Sequence, residues 1–240
     1  MPDIDVGTYH QDAELVKRLE EELYANHAPI TLPPEYAEWV QDNLLRFLIR
    51  LARYKFVARL LSDNDRLLEV GCGSGLGAIF LAQHCAHVTG LDVKEYELEE
   101  ARSMLRRDNV DFVRGDFFEF APERPFDSIV ALDVIEHMPP EAGDRLLARM
   151  ASLLDPAGMV VIGTPSSHSY PHQSEISRAS HVKCYDLPEL QDLVAPHFAR
   201  VLPFSMNDEI VHTGHPKMAW YYFLLCLAPT PQSETERANR

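Results

Sequence analysis

The 240-residue chain is acidic and has enough hydrophobic residues to build the core of one large domain. Hydrophobic residues make up 46% of it and charged residues 25%, which excludes collagen-like and fully disordered chains. Its 22 Lys and Arg against 37 Asp and Glu give a formal net charge of −15. Because nucleic acid is itself a polyanion, this charge disfavours binding to DNA or RNA.

Nothing in the sequence predicts secretion or membrane insertion. The N-terminal segment lacks the basic and apolar parts of a signal peptide, and the most apolar stretch, Met218 to Ala228, is shorter than the roughly 20 residues that a spanning helix needs. The four cysteines form no CxxC pair, so we expect reduced thiols in a cytoplasmic protein. They are Cys72, Cys85, Cys184 and Cys226.

The first 62 residues are predicted to form helices. Residues 12–26 place Leu15, Leu19 and Leu23 at helical spacing, and residues 35–61 contain one or two further helices. We interpret residues 1–62 as a helical cap on the domain that follows.

Short apolar runs then alternate with helical segments. The predicted strands are 66–70, 87–91, 110–114, 126–132 and 159–163, and the predicted helices are 74–84, 96–107 and 141–154. This alternation predicts an α/β domain, residues 63–228, with a mostly parallel sheet and helices on both faces.

The last third of the chain has a different pattern. Residues 164–185 show no period and are predicted to be a loop, and residues 186–197 to be a helix. Two further strands, 198–204 and 218–227, are predicted to form an antiparallel pair at one edge of the sheet. Residues 229–240 are polar and predicted to be disordered.

Three glycines separate the first strand from the helix that follows it, in Glu69-Val70-Gly71-Cys72-Gly73-Ser74-Gly75. Glycines at this point allow a tight turn and close approach of a ligand. A dinucleotide fingerprint fits poorly. Counted from Gly71, its third glycine position is Leu76, and counted from Gly73 it begins two residues late.

Acidic residues follow the next three strands. Asp92 can accept the hydroxyl hydrogens of a ribose. Asp116 stands beside Phe117, a pair suited to the amino group and ring of adenine. Asp133 follows the fourth strand. Since the carboxyl ends of parallel strands form the ligand-binding edge of an open α/β sheet, these acids favour a ligand with hydroxyls, an amino group and positive charge.

The run LLEVGCGSGLGAIFLA, together with Asp92, Gly115-Asp116 and DVIEHM at 133–138, resembles the class I S-adenosylmethionine-dependent methyltransferases. The chain is most similar to the small-molecule branch, with ubiquinone-biosynthesis enzymes and methyltransferases of sugar and lipopolysaccharide pathways. The resemblance covers residues 54–228 and implies a Rossmann-like sheet of seven strands, the last antiparallel. It implies that S-adenosylmethionine is held by Glu69, Gly71, Cys72, Gly73, Gly75, Asp92, Val93, Asp116, Phe117 and Asp133.

His137 and His181 are the candidate general bases for a hydroxyl acceptor. A metal is the alternative, held by Glu136, these two histidines and either His168 or His172. Small-RNA 2′-O-methyltransferases use a fuller motif, with a glutamate three residues before the Glu-His pair. Asp133 occupies that position here, so we expect no metal.

We therefore predict transfer of a methyl group to a hydroxyl or amine of a small metabolite, such as a sugar or natural-product intermediate. Arg46, Arg50 and Arg53 share a helical face and suit an anionic acceptor, although they also fit a solvated face. The alternatives are a nicotinamide-dependent oxidoreductase, a non-catalytic cofactor-binding protein and a methyltransferase acting on a protein. The oligomeric state is left open.

Overall fold

The computed structural model describes residues 11–27, 29–104 and 107–231. The chain divides into two compact units, Met1–Leu32 and Pro33–Arg240. The first unit contains helix α1, Ala13–Asn26, which begins where the Asp12 carboxylate accepts a hydrogen bond from the Leu15 amide at 2.9 Å. None of the residues of α1 is buried.

The second unit is an α/β domain whose elements follow the predicted alternation. Its helices are α2 Pro34–Asp42, α3 Leu44–Ala58, α4 Leu76–Leu81, α5 Glu95–Met104, α6 Pro140–Leu153, α7 Glu175–Ser180 and α8 Leu187–Val194. Its strands are β1 Arg66–Val70, β2 His87–Asp92, β3 Val110–Arg114, β4 Phe126–Leu132, β5 Leu154–Pro165, β6 Phe198–Asn207, β7 Ile210–His212 and β8 Tyr221–Pro229.

All eight strands form one sheet in the order β3-β2-β1-β4-β5-β8-β6-β7. The neighbours from β3 to β5 pair in parallel, whereas β8 runs antiparallel to both β5 and β6. The predicted fold class is confirmed, and the predicted pairing of the last two long strands is found. The expected count of seven is one too low because the short β7 adds to the edge at β6.

Hydrophobic residues cover both faces of the sheet. On one face, α3 and α4 pack against the strands through Val57, Ala78 and Leu81; on the other, α6 and α8 contribute Leu147, Met150 and Leu190. Within the described residues, no helix has both the length and the apolar character needed to cross a bilayer.

The interpretation of residues 164–185 as a loop is wrong in part. A 3₁₀ helix, Ser167–His172, and α7 lie within it. Serine side chains begin both: Ser166 accepts from the Ser169 amide and Ser174 from the Ser177 amide. The tail predicted to be disordered comprises residues 229–240, and its part from residue 232 onward lies outside the described residues.

Candidate active site

The carboxyl ends of β1, β2 and β4 meet at one edge of the sheet, and most of the predicted site residues lie there. Val70 of β1 pairs with Leu91 of β2. Glu69 of β1 pairs with Gly90 of β2 on one side and with Val130 of β4 on the other. The glycine loop, Asp92 and Asp133 therefore follow neighbouring strands, as the sequence predicts for a ligand-binding edge.

The glycine loop needs glycine for conformation and for space. Gly71, Gly73 and Gly75 all have positive φ, at 71°, 52° and 80°, a region that other residues rarely adopt. A Cβ on Gly75 would lie 2.5 Å from the Ala101 Cβ, and one on Gly71 would lie 2.7 Å from Val134 Cγ2. The loop is thus packed closely between α5 and the segment after β4, and Cys72 within it is buried.

Asp92 joins the glycine loop to the start of α5. Its Oδ2 accepts from the Gly73 amide at 2.9 Å and its Oδ1 from the Lys94 amide at 3.0 Å. Each carboxylate oxygen keeps further acceptor capacity, so this geometry leaves room for ligand hydroxyls. Val93, beside it, is exposed.

The two residues predicted to bind adenine, Asp116 and Phe117, differ in burial. Asp116 is exposed and accepts from the Phe118 amide at 2.9 Å. Phe117 lies in the hydrophobic core with 6% of its surface exposed, whereas the Phe118 ring is 40% exposed. The structure thus presents Phe118 as the accessible ring next to Asp116. The adenine role of Asp116 and Phe117 stays a prediction.

Glu69 is a buried acid at the centre of the site. Burial raises its pKa to about 8, although Arg50 and the Tyr54 hydroxyl oppose the shift. Its Oε2 has no hydrogen-bond partner among the described residues. A buried carboxyl oxygen without a donor is uncommon in proteins, and it fits a cationic ligand group.

Asp133 is bound by two arginines of α3. Arg50 and Arg53 both direct Nη1 to Asp133 Oδ2, the second at 2.6 Å. Burial alone would raise the pKa of Asp133, but the two guanidinium groups outweigh it and hold the pKa below its usual range. The interpretation of these arginines as a solvated face is therefore wrong for Arg50 and Arg53; Arg46 lies 5.6 Å from the Trp39 ring.

Three further residues, Tyr54, Gly77 and Tyr221, complete the site. The sequence favoured core packing over a place in the acceptor pocket for Tyr54 and assigned no site role to the other two. Tyr54 of α3 is buried against Glu69, and a Cβ on Gly77 would lie 2.2 Å from Glu69 Oε1. Tyr221 of β8 carries the Arg53 guanidinium 3.9 Å from its ring centroid. Its buried hydroxyl interacts with Asp133 and helps to lower the pKa of that carboxyl.

The structure brings the two predicted histidines together. His137 and His181 have ring centroids 5.0 Å apart, and the carboxylate of Glu136 lies beside them. Burial, then the neighbouring His137, lowers the pKa of His181. His168 and His172 do not join this group, since His172 packs against Trp220 instead.

Comparison with known proteins agrees with this geometry. Residues 67–158 match the family described as a methyltransferase domain. A ubiquinone biosynthesis O-methyltransferase from Saccharophagus degradans is 36% identical over 105 residues, which is 42% of this chain and 44% of the relative. The chain thus matches less than half the length of that relative.

Solved structures share the fold. An S-adenosylmethionine-dependent methyltransferase from Thermotoga maritima superposes with a TM-score of 0.62 at 18% identity, over 80% of this chain and 94% of its own. The N-methyltransferase NodS from Bradyrhizobium japonicum, solved with S-adenosylhomocysteine, gives 0.57 at 20% identity over 77% and 88%. Residues 67–158 thus match a methyltransferase domain, and these structures share its fold over most of the chain.

Proposed function

We propose that this chain is a methyltransferase that uses S-adenosylmethionine to methylate a hydroxyl, or alternatively an amine, of a small anionic metabolite. The observation that carries the proposal is the meeting of the glycine loop, Asp92 and the buried Glu69 at one edge of a methyltransferase domain. The names of the matched relatives support a small-molecule acceptor, and ubiquinone O-methylation in one of them favours a hydroxyl.

The unpartnered polar atoms at this edge fit the cofactor. Glu69 Oε2 would hold the ammonium group of the methionyl end, and Arg50, whose Nε also lacks a partner among the described residues, would hold the carboxylate. Asp92 would hold the ribose, because its two carboxylate oxygens keep acceptor capacity beside the Gly73 and Lys94 amides. Bound S-adenosylmethionine would supply a methyl group on a positively charged sulfur.

The other residues would position the acceptor and take its proton. Arg50 and Arg53 both bind Asp133, and Arg50 also interacts with Glu69. Because burial raises the pKa of Glu69 and favours its neutral form in the cofactor-free site, positive charge is in excess there, which supports recognition of a carboxylate or phosphate on the acceptor. Burial lowers the pKa of His181, which favours the neutral imidazole that a general base for a hydroxyl requires. Holding the acceptor oxygen close to the methyl group would supply much of the rate enhancement.

The first test is thermal unfolding with S-adenosylmethionine, S-adenosylhomocysteine or NADH in excess. A ligand at 100 times its Kd stabilises the folded state by about 2.7 kcal/mol, a visible rise in Tm. We expect the first two ligands to raise Tm and NADH to leave it unchanged. A rise with NADH alone would replace this proposal with the oxidoreductase alternative.

Asp92→Ala tests the ribose assignment. We expect the Kd for S-adenosylhomocysteine to rise about tenfold or more, since hydrogen bonds to a charged group are lost. Asp155→Ala is the matched control: Asp155 accepts from the amide two residues on, as Asp92 does, but near the amino end of β5. Equal affinity in folded Asp92→Ala and the control, by titration calorimetry, would remove the assignment.

Several expectations from the sequence remain predictions. They are the helical cap formed by residues 1–62, the cytoplasmic location, the lack of nucleic-acid and membrane binding, and the roles of individual cofactor-binding residues. A protein acceptor also stays an alternative, and the same purified enzyme incubated with radiolabelled S-adenosylmethionine and either small phenols or protein fractions would distinguish the two classes.

A further inference from the structure

We propose that Glu136, His137 and His181 form a binding site for a divalent transition-metal ion of the zinc and cobalt class. One potential ligand atom from each side chain lies within 4.8 Å of those of the other two. This assignment replaces our expectation from the sequence that the protein holds no metal. The existence of the site is independent of the proposed methyl transfer, although its use in catalysis rests on that function.

Backbone hydrogen bonds hold the two segments of the site together. The Glu136 carbonyl accepts from the Val182 amide at 2.7 Å and from the Lys183 amide at 3.0 Å. His181 is therefore fixed by main-chain contacts beside a residue that lies far earlier in the chain.

Each imidazole is oriented by a hydrogen bond at Nδ1. His137 Nδ1 lies 3.1 Å from the Ser180 carbonyl, and His181 Nδ1 lies 2.9 Å from Gln173 Oε1. The Gln173 amide is itself oriented, because its Nε2 donates to Ser169 Oγ. Since carbonyl oxygens only accept, each ring carries its proton on Nδ1 and leaves Nε2 as a free lone pair. Metal-bound histidines in proteins show this same arrangement.

Glu136 supplies the independent indication of a ligand. Its side chain is fully buried, and its Oε2 accepts from Thr164 Oγ1 at 3.0 Å. Its Oε1 has no hydrogen-bond partner anywhere in the described ranges. A buried carboxylate oxygen that no donor satisfies, on a residue grouped with two imidazoles, fits a cation.

The ligand types define the metal class. Two imidazoles and one carboxylate suit zinc, cobalt or nickel better than magnesium, which prefers oxygen ligands. Ligand atoms around zinc lie about 3.3 Å apart, so the exposed His137 would move inward on binding. Three protein ligands leave a position open, where an acceptor hydroxyl could coordinate and lose its proton to water. The two histidines would then be ligands rather than general bases.

Metal binding itself is the test. The full chain, treated with EDTA and dialysed, is titrated with Co²⁺ by absorption spectroscopy and with Zn²⁺ by calorimetry, with Mg²⁺ as the contrasting ion. We expect one equivalent of Co²⁺ and of Zn²⁺ to bind and Mg²⁺ not to compete. His181→Gln should weaken binding about 100-fold, and Gln173→Ala, which keeps every ligand, about 10-fold or more.

His172→Gln is the matched control, a histidine of the same segment outside the cluster; it should bind like wild type. Binding of S-adenosylhomocysteine in the same samples verifies folding and tests the proposed function separately. The proposal is overturned if the wild-type chain binds no equivalent of Co²⁺ or Zn²⁺, or if binding survives when His137 and His181 are both replaced by Gln.

Discussion

Asp133 has a left-handed backbone and carries the charge that two arginines share. Its φ is 57°, a region that aspartate and asparagine tolerate better than most residues. Asn in its place would keep that backbone and remove the charge, so the effect of the charge can be measured alone. Arg50 and Arg53 would be left as two largely buried cations without an anionic partner.

We therefore predict that Asp133→Asn lowers the free energy of unfolding by about 3 kcal/mol. Asp208→Asn is the control, because Asp208 also has a positive φ, 48°, but is exposed. Urea unfolding of both variants measures the difference. Equal stabilities would show that Asp133 does not stabilise the arginines of α3.

The buried carboxyl group of Glu69 should make the stability of the protein depend on pH. The unfolded pKa of a glutamate is about 4.3, and the folded pKa of Glu69 is about 8. Between these values the folded state binds more protons, so the contribution of this group to stability is complete below about pH 4 and decreases as the pH rises toward 8.

In the cofactor-free protein, Glu69→Gln should remove the part of the pH-dependent loss of stability that Glu69 causes. Each tenfold difference in proton affinity between the folded and unfolded states corresponds to about 1.4 kcal/mol, so the variant should be clearly more stable than wild type at pH 8, while its cofactor binding weakens. Unfolding at pH 5 and pH 8 measures the change, with the exposed Glu119→Gln as control. If Glu69→Gln loses as much stability between pH 5 and pH 8 as the wild type does, the loss belongs to another group.

Sequence reasoning at this scale identified residues whose roles follow from local pattern. The glycines and Asp92 stand at strand ends, which short apolar runs mark clearly. The pairing of Arg50 and Arg53 with Asp133 joins residues 80 or more positions apart. It depends on how α3 packs, and a helical wheel showed only that the arginines share a face. Tyr221 gave no signal, since an aromatic in an apolar strand is typical of any core.

Helix α4 begins so close to the site that position 77, in its first turn, has no space for a side chain. A Cβ on Gly77 would lie 2.2 Å from both Glu69 Oε1 and Tyr54 Cε1. Alanine normally stabilises a helix relative to glycine by about 0.5–1 kcal/mol. Here steric overlap opposes that gain.

Gly77→Ala should therefore lower stability by about 1–3 kcal/mol and weaken cofactor binding, because Glu69 is displaced. A Cβ on Gly214 would meet nothing within 4 Å, so Gly214→Ala should be neutral. Thermal unfolding and titration with S-adenosylhomocysteine test both variants. A Gly77→Ala protein that is more stable than wild type would contradict the packing argument.

Whole elements were predicted best where hydrophobic pattern and boundary residues agree. Strands 66–70, 110–114 and 126–132 have the predicted bounds. Strand β5 extends past both predicted ends, from 159–163 to Leu154–Pro165. Strand β7 was not predicted. Partner strands rather than apolar residues define both. A capping box of Asp186 and Glu189 fixes the start of α8.

At the scale of the whole molecule, the division at residue 32 predicts the effect of truncation. Removing residues 1–32 should leave Tm and S-adenosylhomocysteine affinity close to those of the full chain, because none of the residues of α1 is buried. Removing residues 1–62 should prevent folding, since Ala52, Tyr54 and Val57 belong to the core. Circular dichroism and calorimetry of the two fragments distinguish these outcomes. If the shorter fragment folds and binds ligand, α3 is dispensable to the core.

The position of β8 has a consequence for the order in which the protein is made. This strand lies between β5 and β6, although it follows both in sequence. While the ribosome is still synthesising residues 221–229, β5 has an unpaired edge and β6 has no place in the main sheet. The nascent chain therefore exposes a long apolar edge until residues 221–229 have been made, and during that interval aggregation competes with folding. A chaperone would be most useful in the interval before β8 is available to pair with β5 and β6.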